Sequence, residues 1–98
     1  MIGIDITRIS RFQNKSENFA KRILSHNEFL EYKKIDDKAY FLALRWAIKE
    51  ALFKADNTLL SFQKINISKI NKKYFYKNFQ ITTSKEDDYL IACVVKTI

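Results

Sequence analysis

Between Lys38 and Ala55 the apolar positions recur with the 3.6-residue period of an α-helix, with no Gly or Pro to interrupt them. At about 100° per residue, Leu44, Ala47, Ile48, Ala51, Leu52 and Ala55 form one broad apolar face. Leu42, Trp46 and Phe53 form a second, narrower stripe. A helix that is apolar on two sides is packed on two sides, so the pattern predicts a central helix at the edge of whose core Glu50 and Lys54 sit. These two lie in the gap between the stripes, four residues apart and therefore on one face. Arg45 and Lys49 repeat that spacing on a separate polar stripe. Taken alone, Glu followed by Lys at this spacing is the commonest surface ion pair, worth about 0.2–0.5 kcal/mol.

On either side of this helix the period changes. Ile2, Ile4 and Ile6 alternate with Gly3 and Asp5, which predicts a half-buried strand with Asp5 on the face opposite the isoleucines. Gly3 permits a close approach beside it, making Asp5 a candidate ligand position. Thr7 to Phe12 read as a turn or short helical piece. Ser16 N-caps a helix through Leu24, with Phe19, Ala20 and Ile23 inward. Ser25-His26-Asn27-Glu28 matches a capping box opening a second helix with Phe29, Leu30 and Tyr32, which leaves His26 on the surface of its first turn. The charged run from Glu31 to Lys38 is a solvated connection, and Asp36 or Asp37 caps the long helix. Asp56-Asn57-Thr58 ends that helix, with Asn57 in the left-handed role usual for Gly. Further on, Ile65 and Ile67 alternate with polar neighbours, as do Phe79 and Ile81, and Tyr74 to Tyr76 form a short strand or a turn. Ser84 to Asp88 is a turn before Leu90–Val95, a strand buried on both faces. The expected architecture is α+β in a single domain over residues 1–98: a strand, helices, then three or four strands of a mostly antiparallel sheet.

Composition narrows the chemistry. With 47% apolar and 14% aromatic residues the chain is globular, not disordered. No apolar run approaches the ~20 residues of a membrane span, and the N-terminus lacks a signal peptide's layout, so a cytoplasmic protein with no membrane partner is expected. Cys93 is a lone cysteine in an apolar run, expected to be inert core, and with one Cys and one His no zinc-type cluster is available. Any metal would be a hard, oxygen-bound ion such as Mg²⁺. The net charge of +7 calls for an anionic partner, and nucleic acid, an acidic protein and a phosphorylated small molecule all qualify. Fourteen lysines against four arginines argue against a dedicated base reader.

Three features converge along the chain. Gly3-Ile4-Asp5-Ile6 opens it, with Arg11 a few residues on. Arg45-Trp46-Ala47-Ile48-Lys49-Glu50-Ala51-Leu52-Phe53-Lys54-Ala55 forms the central helix, and Ile81-Thr82-Thr83-Ser84-Lys85-Glu86 precedes the last strand. Together they resemble the holo-[acyl-carrier-protein] synthases, the short class of 4′-phosphopantetheinyl transferases. The helix matches that family's R-[FW]-A-x-K-E-A-x-x-K-A without gaps, and Phe19-Ala20-Lys21-Arg22-Ile23-Leu24 followed by Glu28 matches its F-x-x-R-[IV]-[LF]-x-x-x-E. The resemblance implies transfer of 4′-phosphopantetheine from coenzyme A to a serine of apo-acyl carrier protein, in lipid biosynthesis. It implies a catalytic set of Asp5, Glu50 and Lys54, with Mg²⁺ held by Asp5 and Glu50. Coenzyme A would be met by Arg45, Lys49 and Lys54, with Thr83 and Ser84 donating hydroxyls where the family uses His and Thr. An acidic carrier protein would dock on Arg11, Phe19 and Arg22, beside Lys15 and Lys21. A homotrimer with sites between subunits is implied as well.

The chain departs from the family pattern at two places. Asp56-Asn57-Thr58 stands where relatives place Gly-x-Gly, and Thr83 replaces the His. These losses support an alternative, a subunit that binds coenzyme A or carrier protein without turnover. A third reading, a basic nucleic-acid-binding module, rests on the net charge and on Tyr74, Phe75, Tyr76 and Phe79.

Overall fold

The computed structural model describes residues 1–97. Strand β1 (Ile2–Arg8) leads through a 3₁₀ turn (Ile9–Phe12) into α1 (Glu17–Ile23), α2 (His26–Lys34) and the long α3 (Lys38–Ala55). A second 3₁₀ turn (Phe62–Lys64) precedes β2 (Ser68–Ile70), β3 (Lys73–Tyr76), β4 (Phe79–Glu86) and β5 (Tyr89–Lys96). The strands form one antiparallel sheet in the order β1-β5-β4-β3-β2. The first strand thus closes against the last, and α3 lies across both. The α+β expectation holds.

Local chemistry sets the helix starts. Ser16 Oγ accepts from the Phe19 amide at the head of α1. Ser25 and Glu28 form the reciprocal capping box of α2, and Asp37 Oδ1 accepts from the Tyr40 amide at the head of α3. His26 is exposed, as its first-turn position requires. The end of α3 differs from expectation, because Asn57 is not left-handed. The Asp56 carboxylate instead accepts from the Thr58 amide and hydroxyl, at 3.0 and 2.6 Å, and this side-chain turn does the work of a glycine cap.

The packing of β1 reverses the natural reading of its alternation. Ile2, Ile4 and Ile6 are 68%, 59% and 59% exposed, while Gly3 and Thr7 are buried against α3. Gly3 explains the choice of face. A Cβ there would overlap the Ala51 carbonyl oxygen and lie 2.9 Å from the Ala55 amide nitrogen, so only glycine lets β1 cross this close to the helix backbone. Strand β5 is likewise one-sided rather than buried on both faces: Leu90, Ala92 and Val94 meet the core, while Ile91 and Cys93 are half-buried on the open face. Cys93 is therefore not in the core. Ser84, Lys85 and Glu86 continue β4, so the turn contracts to Asp87-Asp88, with Asp87 at φ 54°. Ile65 and Ile67 are buried but lie in extended chain before β2, outside any strand.

Candidate active site

Asp5 leaves β1 on the face that meets α3, and Lys54 rises from the last turn of α3 to meet it. The Lys54 ammonium donates to Asp5 Oδ1 at 3.1 Å and to the Ile4 carbonyl at 3.0 Å. The helix-surface pair expected between Glu50 and Lys54 is not formed; among the described residues the lysine's ion pair runs across to the strand. Glu50, one turn before Lys54, is half-buried. Burial pushes its carboxyl above the ordinary value and the Asp5 charge adds to the rise, while Lys54 and Arg11 oppose it. Asp5 from β1 and Glu50 and Lys54 from α3 thus share one electrostatic site with Arg11 at its side.

That site leaves one carboxylate oxygen without a hydrogen-bond partner. Asp5 Oδ2 is buried and accepts no hydrogen bond. A buried carboxylate oxygen left without a partner is costly, and a second carboxylate beside it raises the cost. Two carboxylates of this kind fit a hard divalent cation. Among the described residues no three His, Cys, Asp or Glu side chains converge, so such an ion would keep the rest of its shell as water or substrate oxygens.

Arg45 and Lys49, expected at coenzyme A phosphates, are placed elsewhere. Lys49 is fully buried, its ammonium donating to Glu28 Oε1, to the Ile23 carbonyl at 2.8 Å and to the Phe62 carbonyl at 2.9 Å. Those three acceptors use its three protons. Burial lowers the ammonium from its usual value and the Glu28 carboxylate opposes that shift. Arg45 Nε lies 3.2 Å from Glu28 Oε2, in an ion contact whose angle leaves its N–H without a hydrogen bond. The guanidinium lies over the rings of Phe41 and Tyr74, at 4.4 and 5.3 Å. Glu28 also accepts from the Ser25 and Ile67 amides. This buried knot ties α2, α3 and the chain before β2 together; it uses all three Lys49 protons and buries the Arg45 guanidinium. Glu28 carried a capping-box signal, but nothing in the periodicity announced it as the acceptor for two distant cations.

Thr83 and Ser84 lie on opposite faces of β4. Thr83 is in register with Ala92, which is in register with Asp5, so the three form one row across β4, β5 and β1 on the helix side. Two strand spacings, about 10 Å, separate Thr83 from Asp5. Ser84 falls in the row of Ile91 and Ile6 on the open face. A concavity of about 810 Å³ between β3, β4 and the end of β5 is lined by Thr83 but not by Asp5 or Glu50.

The three residues expected to dock a carrier are linked through the rings of Phe12 and Phe19, and of the three Arg11 is the one whose charge acts on Glu50. The Arg11 guanidinium stacks over Trp46 and Phe12 at 5.2 and 5.4 Å. Phe19 is half-buried against Phe12, with Lys15 and Arg22 over its ring at 5.0 and 5.8 Å. The aromatics considered as a nucleic-acid platform are divided: Phe79 is core, Tyr74 packs under Arg45, and Phe75 is exposed.

Residues 1–94 match the model of the 4′-phosphopantetheinyl transferase superfamily. The chain is 57% identical over 96 residues to a holo-[acyl-carrier-protein] synthase of Mycoplasma mobile, covering 98% of this chain and 88% of that one. Its fold is similar to the crystal structure of holo-[acyl-carrier-protein] synthase from Neisseria meningitidis, with a TM-score of 0.84 at 28% identity over 99% of this chain and 97% of that one. It is also similar to the Helicobacter pylori holo-[acyl-carrier-protein] synthase in complex with coenzyme A, with a TM-score of 0.78 at 30% identity over 99% of this chain and 100% of that one. The motifs, the fold and the carboxylate–lysine site fall together over nearly the whole chain, which belongs to the 4′-phosphopantetheinyl transferase superfamily.

Proposed function

We propose that this protein transfers 4′-phosphopantetheine from coenzyme A to a serine of an apo-acyl carrier protein, releasing adenosine 3′,5′-bisphosphate. The observation that carries the reading is the meeting of Asp5, Glu50 and Lys54 around an unpartnered carboxylate oxygen, in a chain whose relatives bear the name of that activity.

The serine oxygen forms a bond to the phosphorus that carries pantetheine. The bond from that phosphorus to the bridging oxygen of the diphosphate breaks, and the electron pair leaves on the adenosine 5′-phosphate. Such a transfer needs charge neutralisation and alignment more than covalent help. Magnesium held by Asp5 and Glu50 would neutralise the diphosphate oxygens when bound. Glu50, or a water held by the carboxylates, receives the serine proton. Lys54 holds Asp5 in place and sets a positive charge where the leaving phosphate becomes more negative. Thr83, on the Asp5 face, offers a hydroxyl to the same substrate.

The rest of the molecule suits the partners. The basic aromatic surface of Arg11, Phe19 and Arg22 meets the site at Arg11, whose charge acts on Glu50, so an acidic carrier docked there presents its serine to the site. The exposed isoleucines of β1 suit self-association, and a homotrimer with sites between subunits is the assembly we propose. The test is release of adenosine 3′,5′-bisphosphate from coenzyme A, dependent on both Mg²⁺ and apo-carrier. Coenzyme A binding with no release would instead favour a non-catalytic subunit.

A further inference from the structure

The 3₁₀ turn that presents Arg11 is too short to hold itself. It spans only Ile9–Phe12, the Gln13 amide donates to the Ser10 carbonyl at its end at 3.3 Å, and the Arg8 side chain does not cap its start. A turn of this length is unfavourable alone, and its first amides need acceptors from outside. The β4–β5 hairpin supplies them. The Ile9 amide donates to the Asp88 carbonyl at 2.8 Å, the Ser10 amide to Asp88 Oδ1 at 2.9 Å, and the Ser10 hydroxyl to Asp88 Oδ2. One residue on, Arg8 donates to the Tyr89 hydroxyl at 3.1 Å and lies over its ring. At the other end of the turn, Phe12 is buried against Trp46. Arg11 lies between these two anchors.

We propose that Asp88 is a positioning residue for carrier-protein recognition: it caps the 3₁₀ turn from across the fold and so fixes Arg11 beside Glu50. This rests on the transferase reading above. The two bonds from Ser10, first through its hydroxyl, hold the Asp88 carboxyl below its usual value, so it is ionised and accepts both at neutral pH. The sign of the effect separates the clasp from simple electrostatics. Asp88 is a negative charge near a surface meant for an acidic partner. On charge alone, removing it would tighten carrier binding. As a clasp, its removal loosens Arg11 and weakens carrier binding.

The experiment compares Asp88→Ala, Asp88→Asn and Ser10→Ala with the wild-type protein, using apo-carrier and coenzyme A as varied substrates. Asp88→Ala is expected to raise the KM for carrier about tenfold, with kcat and the KM for coenzyme A within about twofold. Ser10→Ala is expected to move the same constant the same way by less. Asp88→Asn keeps an oxygen for the Ser10 amide, and its NH2 can donate to the Ser10 hydroxyl in a reversed bond, so it should restore the wild-type value. A carrier KM unchanged or lowered in Asp88→Ala overturns the proposal, as does an Asn variant no better than Ala. Amide hydrogen exchange supplies a readout that does not need turnover: Ser10 should exchange at least about tenfold faster in Asp88→Ala while the β1 amides keep their protection. Unchanged Ser10 exchange overturns the clasp, whereas an inert wild-type protein with the expected exchange change overturns only the transferase reading.

Discussion

Glu50 carries a charge that the folded chain opposes. Its carboxyl is raised above its ordinary value, burial first and Asp5 second, so the folded state binds that proton more tightly than the unfolded chain does. Stability from this group is therefore present at low pH and lost as pH rises through the folded value. At neutral pH the ionised Glu50 costs stability in the metal-free protein. Glu50→Gln should melt higher than wild type at pH 7.5, with the difference vanishing near pH 4, about the value of a free glutamate. The same variant should lose about 10²–10³-fold in transfer rate. Thermal melts at the two pH values and a steady-state assay check both halves, and a variant that melts lower and still turns over removes Glu50 from the site. At this scale the grouping of Asp5, Glu50 and Lys54 came from the family resemblance; spacing alone favoured a Glu50–Lys54 surface pair, and the structure sends Lys54 across to Asp5 instead. The burial of Arg45 and Lys49 against Glu28 had no signal in the sequence. Periodicity marks a polar stripe, but it does not distinguish one that faces water from one that faces a buried carboxylate contributed by α2.

That carboxylate organises the elements. Glu28 caps α2, receives Lys49 and Arg45 from α3 and holds the Ile67 amide before β2. Breaking a buried pair by removing one partner costs about 3–5 kcal/mol, so Glu28→Ala and Lys49→Ala should each unfold at markedly lower denaturant. A double-mutant cycle should show strong coupling between them; additive losses would mean the knot is not one unit. Gly3 is the other point where elements depend on one residue. Gly3→Ala forces a Cβ into the α3 backbone and should cost about 1–3 kcal/mol or more. It should also reduce transfer, since β1 carries Asp5 against Lys54; a melting temperature and rate near wild type would contradict the close packing. The alternation in β1 told of two unlike faces and not which one met the helix. Gly3 carried that information, because the glycine lies where backbone meets backbone, and the isoleucines are then left on the open side.

For the molecule as a whole, those isoleucines and the charge set the remaining expectations. Ile2, Ile4 and Ile6 present a contiguous apolar stripe on the edge strand of the sheet, and burying it between copies would add core to a small chain. Ile4→Glu should lower the molar mass seen by light scattering from a trimer to a monomer and reduce transfer with it. A wild-type monomer that turns over normally would contradict the assembly. The antiparallel α+β plan was readable from the sequence because its periods are strong and its caps explicit. The order of the strands was not, since the pairing of β1 with β5 joins opposite ends of the chain and leaves no local trace.

The central claim is a covalent transfer, and mass reports it directly. Protein incubated with coenzyme A, Mg²⁺ and an apo-carrier protein from a close relative should add about 340 Da to the carrier, the mass of one phosphopantetheine group joined through phosphorus. The Glu50→Gln protein should leave the carrier at its apo mass over the same time. An unchanged carrier mass with folded wild-type protein, across carriers that a related synthase does modify, would contradict the account.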